Sequence, residues 1–292
     1  MASMSPDEER VLTDEFIDRV TYTKEYSLKG MIRGLTLPPA VPLPPSSSSS
    51  KSSLGRLNGL PVELLHMVLV FLDGQSLVRL AETSHRAKEI VDTLPVYQEL
   101  RQHIPDVLVA LAKTHMLRCH GISDIQRALR SSACASCLVS FGGFFFLPTC
   151  ERVCFDCLYE NRALRMITLA NARECFRLTA RQLETGVPIL NTIPGSYSVK
   201  WHKHHPNVHR LVNVRQVKAY AIKVHGSIEA VDALLPSTKP GNWSARKYNM
   251  FKSFHEASLE PPGRDLTLLP EQIDAVNDDF GGVASIRVAV KG

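Results

Sequence analysis

The chain has 292 residues, 44% of them hydrophobic and 22% charged, with a net charge of +5. That composition suits one or two buried cores with some tails and excludes a broadly disordered chain. The charge is too small to argue for nucleic acid by itself, because such binders concentrate many more basic residues on one face. No apolar run approaches the ~18 residues that cross a bilayer, and the acidic start MASMSPDEERVLTDEFIDRV has no apolar core of signal-peptide length. The expectation is a soluble protein of the nucleus or cytoplasm with no membrane partner.

Residues 1–35 read as an acidic tail and residues 36–56 as a linker, because TLPPAVPLPPSSSSSKSS cannot bury enough apolar surface to offset its chain entropy. From Leu57 to Arg130 apolar residues recur at three-to-four spacing, with breaks at Gly74, Pro95, Pro105 and Gly121. That pattern predicts several short helices. The first begins at Pro61, where a first-turn proline is tolerated, and Glu63 favours its N-terminus. At ~100° per residue, Val62, Leu65, Leu69 and Leu72 form one stripe and Leu64, Met67, Val68 and Phe71 another beside it. Only Glu63, His66 and part of Val70's face remain for water. Two adjacent stripes imply burial on two sides: the module's own core, and either a later part of the chain or a partner.

The run LNGLPVELLHMVLVFLDGQSLVRLAETSHRAKEIV resembles the F-box over residues 57–97, through Leu60, Pro61, Glu63, Leu64, Leu65, Val68, Leu69, Phe71, Leu72, Asp73, Ser76, Leu77, Leu80, Ser84 and Arg86. The resemblance implies a three-helix module that docks on the small Skp adaptor and so hangs from a cullin scaffold. By that likeness Leu60, Pro61, Leu64, Val68 and Leu77 are expected to touch the adaptor, with Leu65, Leu69, Leu72 and Leu80 in the module's core.

Residues 98–133 read as a helical connector. One of its helices opens at Ser123 with Gln126 in a capping-box arrangement and runs directly into the first cysteine pair, so the helical unit and the cysteine unit are expected to pack together. Seven cysteines is an odd number, and most crowd between 134 and 157, which suits a metal site in a reducing compartment better than a disulfide framework. Cys134-x2-Cys137 and Cys154-x2-Cys157 have the spacing that points two thiolates from each turn at one zinc ion. FGGFFFLP between them reads as a hairpin bending at Gly142-Gly143, its phenylalanines covering a unit (134–160) too small for a core of its own. Four thiolates close the coordination sphere, so the zinc is expected to be structural. Cys150-x3-Cys154 offers another pairing, but the two-residue spacings match better. Cys150 is read as a nearby buried thiol, and Cys119 and Cys175 as ordinary buried cysteines. The segment from Cys134 to Tyr197, with TCERVCFDCL, ANARECFRLTARQL and IPGSY, resembles the cysteine-bearing region of F-box proteins of filamentous fungi.

Residues 161–235 are expected to be helical and to face a target. Two short helices fall between Leu158 and Thr185, the second starting at Thr179 with Gln182 at the reciprocal capping position and ending at Gly186. A longer helix follows Asn213, with Val214, Val217, Ala221 and Val224 on one side and Gly226 as its stop. No acid stands between Glu184 and Glu229, while Lys200, Lys203, Arg210, Arg215, Lys218 and Lys223 are basic and Trp201 and Tyr220 aromatic. Lys200, Trp201, Lys203 and Arg210 are therefore the candidate contacts for a protein target, against the bland reading of a solvated basic face. His202, His204, His205 and His209 read as loop histidines rather than a second metal site. Residues 236–292 are expected to be rich in loops, with Pro261-Pro262-Gly263 as a turn and ASIRVAV alternating like a strand.

The expected fold is mainly α: three F-box helices, further helices and a small zinc-clamped β-hairpin. No phosphate-cradling glycine loop, nucleophile elbow or His-Glu-x-x-His helix is present, so no catalysis is expected, and a RING-like ligase would need about eight ligands for two zinc ions. A zinc-dependent nucleic-acid-binding regulator is the alternative to a ligase adaptor.

Overall fold

The computed structural model describes residues 54–196, 204–261 and 289–291. The acidic tail, residues 36–53 of the linker, and Lys200, Trp201, His202 and Lys203 lie outside the described residues. The fold is mainly helical with small antiparallel sheets. Among the described residues no helix is long and apolar enough to cross a membrane.

A 3-10 turn (Gly55–Gly59) leads into α1 (Val62–Leu69), α2 (Gly74–Thr83) and α3 (His85–Asp92). The connections after α1 are short because α2 and α3 each start on a side-chain cap. Asp73 accepts from the Ser76 amide at 2.9 Å and Ser84 from the Ala87 amide at 3.1 Å. Burial pushes the Asp73 carboxyl up, but the hydrogen bonds from Ser76 hold it below its usual range. Prolines open α4 (Pro95–His103) and α5 (Pro105–Lys113), where a missing amide hydrogen does no harm.

Next comes α6 (Ile122–Arg130), capped by Gly121 and not by a capping box at Ser123. The expected box is absent because the helix is capped two residues earlier, at Gly121, held where the Ile122 amide donates to Leu72 O at 3.0 Å. Gln126 instead donates to Glu99 at 2.6 Å, and Arg130 joins it on the same carboxylate, tying α4 to α6.

The hairpin pairs β1 (Phe144–Phe146) with β2 (Glu151–Val153), so its turn lies at residues 147–150 rather than at Gly142-Gly143. Gly142 serves close approach: a Cβ there would stand 2.7 Å from Arg152 Cβ and 3.1 Å from Ala133 O. Cys154 caps α7 (Phe155–Glu160).

After α7 come β3 (Met166–Thr168), α8 (Leu169–Phe176), α9 (Ala180–Gly186) and β4 (Leu190–Asn191). The reciprocal cap at Thr179 and Gln182 is formed as expected. The antiparallel pair β5 (Gly195–Ser196) and β6 (His204–His205) belongs to a separate unit. The main unit resumes with β7 (Arg210–Asn213), α10 (Val214–His225) stopped by Gly226 at φ +94°, and α11 (Ile228–Asp232). Val224, expected on the inner side of α10, is exposed, and Lys218 is buried there instead.

The region expected to be loop-rich contains α12 (Ala245–His255), which buries Met250, Phe251 and Phe254. Near the C-terminus, β8 (Ala289–Lys291) pairs antiparallel with β1 on the side away from β2, so the expected strand forms over its last residues.

One apolar interior runs from Leu65 and Leu77 through Leu111 and Ile125 to Phe145, Phe146 and the cysteines, and on to Met166, Leu190 and Leu211. A second gathers Ile167, Phe176, Leu183, Val212, Val217, Phe251 and Phe254. The sheet in the order β3-β7-β4 divides them, because successive strand residues face opposite ways: Met166 and Leu211 point to the first core, Ile167 and Val212 to the second.

Candidate functional site

Pro61 caps α1, and Leu65 and Leu69 anchor the helix in the core. Around them Leu60, Leu64, Met67, Val68 and Phe71 recur at i, i+4, i+7, i+8 and i+11 and all face solvent, Phe71 being 83% exposed. Pro61 and Val62 are exposed beside them, so Val62 leaves the inner stripe in which it was expected. The inner stripe is completed by Leu72 and Leu80, partly buried against the core.

Two further expectations change. Leu77 is 0% exposed: it sits one turn before Leu80 on the inner face of α2 and cannot touch a partner. His66 does not simply face water, because its Nε2 lies 3.1 Å from Ile90 O and fastens α1 to α3. What remains is a contiguous apolar face, Leu60 to Phe71, with no cover among the described residues.

The second candidate is the cysteine cluster. Cys134, Cys137, Cys154 and Cys157 are buried, and their Sγ atoms all lie within 4.8 Å of one another. The first pair sits on a tight turn in which the Cys134 amide donates to Ser140 O at 2.8 Å and the Leu138 amide to Cys134 O at 2.9 Å. The second pair starts α7, so the hairpin carries one pair to the other. Three amides point at sulfur: Ser136 at Cys134, Ser140 at Cys137 and Cys157 at Cys154, at 3.4, 3.5 and 3.4 Å. Donors aimed at sulfur favour thiolate over thiol.

Hydrogen bonds from Cys154 and Cys157 draw the Cys134 thiol far below its ordinary range, and the contact with Cys134 pushes Cys154 up to about 11. Four thiols this close cannot all ionise without a cation between them. Zinc bound at about 2.3 Å to each sulfur would set neighbouring sulfurs roughly 3.8 Å apart, and Cys137 and Cys154 stand at 4.0 Å. The four buried sulfurs lie close enough together to hold a metal ion, and four thiolate ligands would complete a tetrahedral shell.

Cys150 is outside this set; burial pushes its thiol up to about 12, which keeps it protonated. Cys175 is buried as expected, whereas Cys119 is exposed, on the loop that leaves α5.

Three supporting residues carry no sequence signal. Asn161 donates to Ser136 Oγ at 2.7 Å and accepts from the Ala163 amide, pinning the first cysteine turn to the entry of β3. His120 Nε2 lies 2.8 Å from Leu147 O at the hairpin turn, and burial keeps its imidazole below the usual range. Arg152 is buried between the rings of Phe141 and Phe145, at 5.4 and 5.1 Å from their centroids. These contacts span sequence separations that a local pattern does not register.

The basic stretch does not form one surface among the described residues. Arg210 is exposed on β7 and pairs with Glu184 at 3.0 Å, Arg215 pairs with Glu151 at 2.8 Å, and Lys218 is buried, donating to His255 O and to Ala257 O. Lys200, Trp201 and Lys203, the other candidate contacts, fall outside the described residues.

No curated protein and no solved structure matches the chain. Among protein-family models, the F-box domain matches residues 57–99, against the expected end at 97. That stretch holds α1, α2, α3 and the first part of α4, and with it the exposed apolar face, so the chain carries an F-box domain at the N-terminal end of the described fold.

Proposed function

We propose that the chain is the substrate-recruiting subunit of an SCF-type cullin ubiquitin ligase, without catalysis of its own. The observation that carries this reading is the uncovered apolar face of α1 inside the matched F-box. Leu60, Pro61, Leu64 and Val68, together with Met67 and Phe71, dock on the Skp adaptor, and the adaptor links the chain to cullin. Leu77 drops out of that contact set. The cysteine cluster holds one structural zinc, which clamps the hairpin; its closed sulfur shell supplies folding energy rather than chemistry. The zinc-containing part beyond the F-box presents a protein target, a role supported by the likeness of residues 134–197 to the cysteine-bearing region of filamentous-fungal F-box proteins. Reduced thiols and the ligase assignment together support a location in the nucleus or cytoplasm. Of the basic residues that motivate the nucleic-acid alternative, Arg210 and Arg215 are paired with acids and Lys218 is buried, while Lys223 is exposed.

The test is co-purification with a fungal Skp adaptor, with zinc assayed in the same samples. The wild type is expected to give a stoichiometric complex that a Leu60→Ala, Pro61→Ala double variant loses while remaining folded and zinc-loaded. A folded, zinc-loaded wild type that ignores the adaptor would end the ligase assignment.

A further inference from the structure

Asn58-Gly59, on the 3-10 turn that leads into α1, is the one Asn-Gly pair in the sequence. An asparagine followed by glycine is the asparagine most open to attack by its own backbone. Glycine puts no side chain in the way of the amide nitrogen that must swing onto the asparagine Cγ.

Three observations leave that attack unhindered here. Every residue from Gly55 to Gly59 is exposed, and the turn buries none of them. No side chain caps the turn, and the Asn58 side chain makes no hydrogen bond among the described residues. Nothing lies within 4 Å of where a Cβ at Gly59 would stand, so the peptide unit has room to rotate. A single 3-10 turn has poorer hydrogen-bond geometry than an α-helix, and with no apolar contact under it the turn opens readily.

Asp73-Gly74 gives the contrast. The same glycine follows an acid there, yet both carboxylate oxygens of Asp73 accept from Ser76 and the Gly74 amide donates to His120 O at 3.2 Å. A Cβ at Gly74 would stand 2.4 Å from Leu117 Cδ1, so neither reacting group has room to move.

We propose that Asn58 is a site of spontaneous deamidation that ages the adaptor-binding end of the chain. The Gly59 amide nitrogen bonds to Asn58 Cγ, the bond from Cγ to the side-chain nitrogen breaks, and ammonia leaves with the proton from the Gly59 amide. The succinimide ring that results takes up one water. Opening at one carbonyl gives aspartate; opening at the other gives isoaspartate, in which the main chain runs through the former side chain and gains a methylene. Both products carry an added negative charge, and water is the only co-reactant.

Position decides the consequence. Asn58 stands two residues before Leu60 and three before Pro61, where the exposed face begins. An isoaspartyl link therefore displaces Leu60 and Pro61 relative to Leu64 and Val68, which α1 holds in place. A contact set whose first anchors are out of register binds more weakly, and the new charge is brought beside an apolar surface that must lose its water. The fold is spared, because no residue of the turn is buried. The effect on capture rests on the ligase reading, whereas the modification itself does not.

The experiment holds the wild type, Gly59→Ala and Asn58→Gln in mildly alkaline buffer and withdraws samples for peptide mass spectrometry and Skp adaptor titration. Alanine fits the open space at Gly59 but hinders ring closure, and glutamine would have to close a larger, less favourable ring. In the wild type, Asn58 is expected to exchange its amide for a carboxyl before any other asparagine does, with isoaspartate as the main product. The aged wild type should bind the adaptor roughly tenfold more weakly than the fresh chain, the loss that goes with disturbing one anchor of an interface. Its urea unfolding should be unchanged, and both variants should keep their side-chain amide and their capture over the same time. An Asn58 that keeps its amide while other asparagines convert would overturn the proposal, and so would conversion that leaves capture as it was. A fresh wild type that ignores the adaptor would count against the ligase reading, and the mass readout would still decide whether Asn58 is the site.

Discussion

Leu138 occupies the left-handed region at φ +62° with its side chain mostly in solvent. For a non-glycine residue that conformation costs about 1–2 kcal/mol, and glycine's extra freedom in the unfolded chain gives back roughly 0.5–1 of it. Leu138→Gly should therefore raise stability by about 0.5–1 kcal/mol in urea unfolding with zinc held constant. The reverse case is Gly226, at φ +94° with nothing within 4 Å of where a Cβ would stand, so Gly226→Ala should cost about 1 kcal/mol through the backbone alone. His255 gives a pH prediction. Its Nε2 lies 3.1 Å from Cys175 O, Phe176 stacks on it, and Asp232 stands 3.8 Å from Nδ1. Burial first, and Lys218 after it, hold its imidazole below the usual range against the pull of Cys175 O and Asp232. The folded state thus binds this proton less readily than the unfolded state. Its contribution is complete above the ordinary value of about 6.5 and is lost as pH falls through the lower folded value. His120 has the same sign. Unfolding midpoints should fall below pH ~6.5, and His255→Asn should flatten the slope without abolishing it. At this scale the cysteine spacing is legible in the sequence because each pair is local. The fate of the basic residues is not, since Glu184 and Glu151 reach Arg210 and Arg215 across the fold.

Among the elements, α1 is the most legible, because its period and the F-box order of residues act on the same few turns. Leu77 is misassigned when its family position is taken as a contact, because burial has the prior claim. The two faces separate experimentally. Leu77→Ala should destabilise the fold by roughly 2–5 kcal/mol in any assay. Phe71→Ala, on the open face, should leave stability within about 0.5 kcal/mol and weaken adaptor capture; titrating the adaptor against both variants, alongside urea melts, distinguishes them. Of the two expected capping boxes, Thr179 and Gln182 form theirs, whereas α6 is already capped at Gly121 before Ser123 is reached, which leaves Gln126 to reach Glu99. Helix α12 is hard to read from the sequence because polar residues are spread along it: Arg246, Lys247 and Lys252 interrupt the spacing of Met250, Phe251 and Phe254, and only the Ser244 cap signals its start.

At the level of the whole molecule, the cysteines share an interior with α1 to α6 rather than stabilising a hairpin in isolation. Removing the metal should therefore be felt well beyond residues 134–160. Chelation, or Cys157→Ser, is expected to lower the thermal midpoint and to loosen amide protection in α6 as well as in the hairpin; melting and exchange with and without added zinc check this. A midpoint indifferent to chelation would show that the four sulfurs do not hold a structural ion. The short distance between Arg130 and Cys134 is enough to anticipate that the helical and cysteine units pack together. The sheet that separates the two cores has no such signal, because β3, β4 and β7 are each a few residues long and pair across wide gaps.

The unbroken interior from Leu65 to Leu211 has one more consequence. A grip on α1 also sets the angle and reach of the far end, since no slack joint lies between them in that core. The chain then behaves as a strut: whatever seats against the hairpin is held at one fixed stand-off from whatever grips α1.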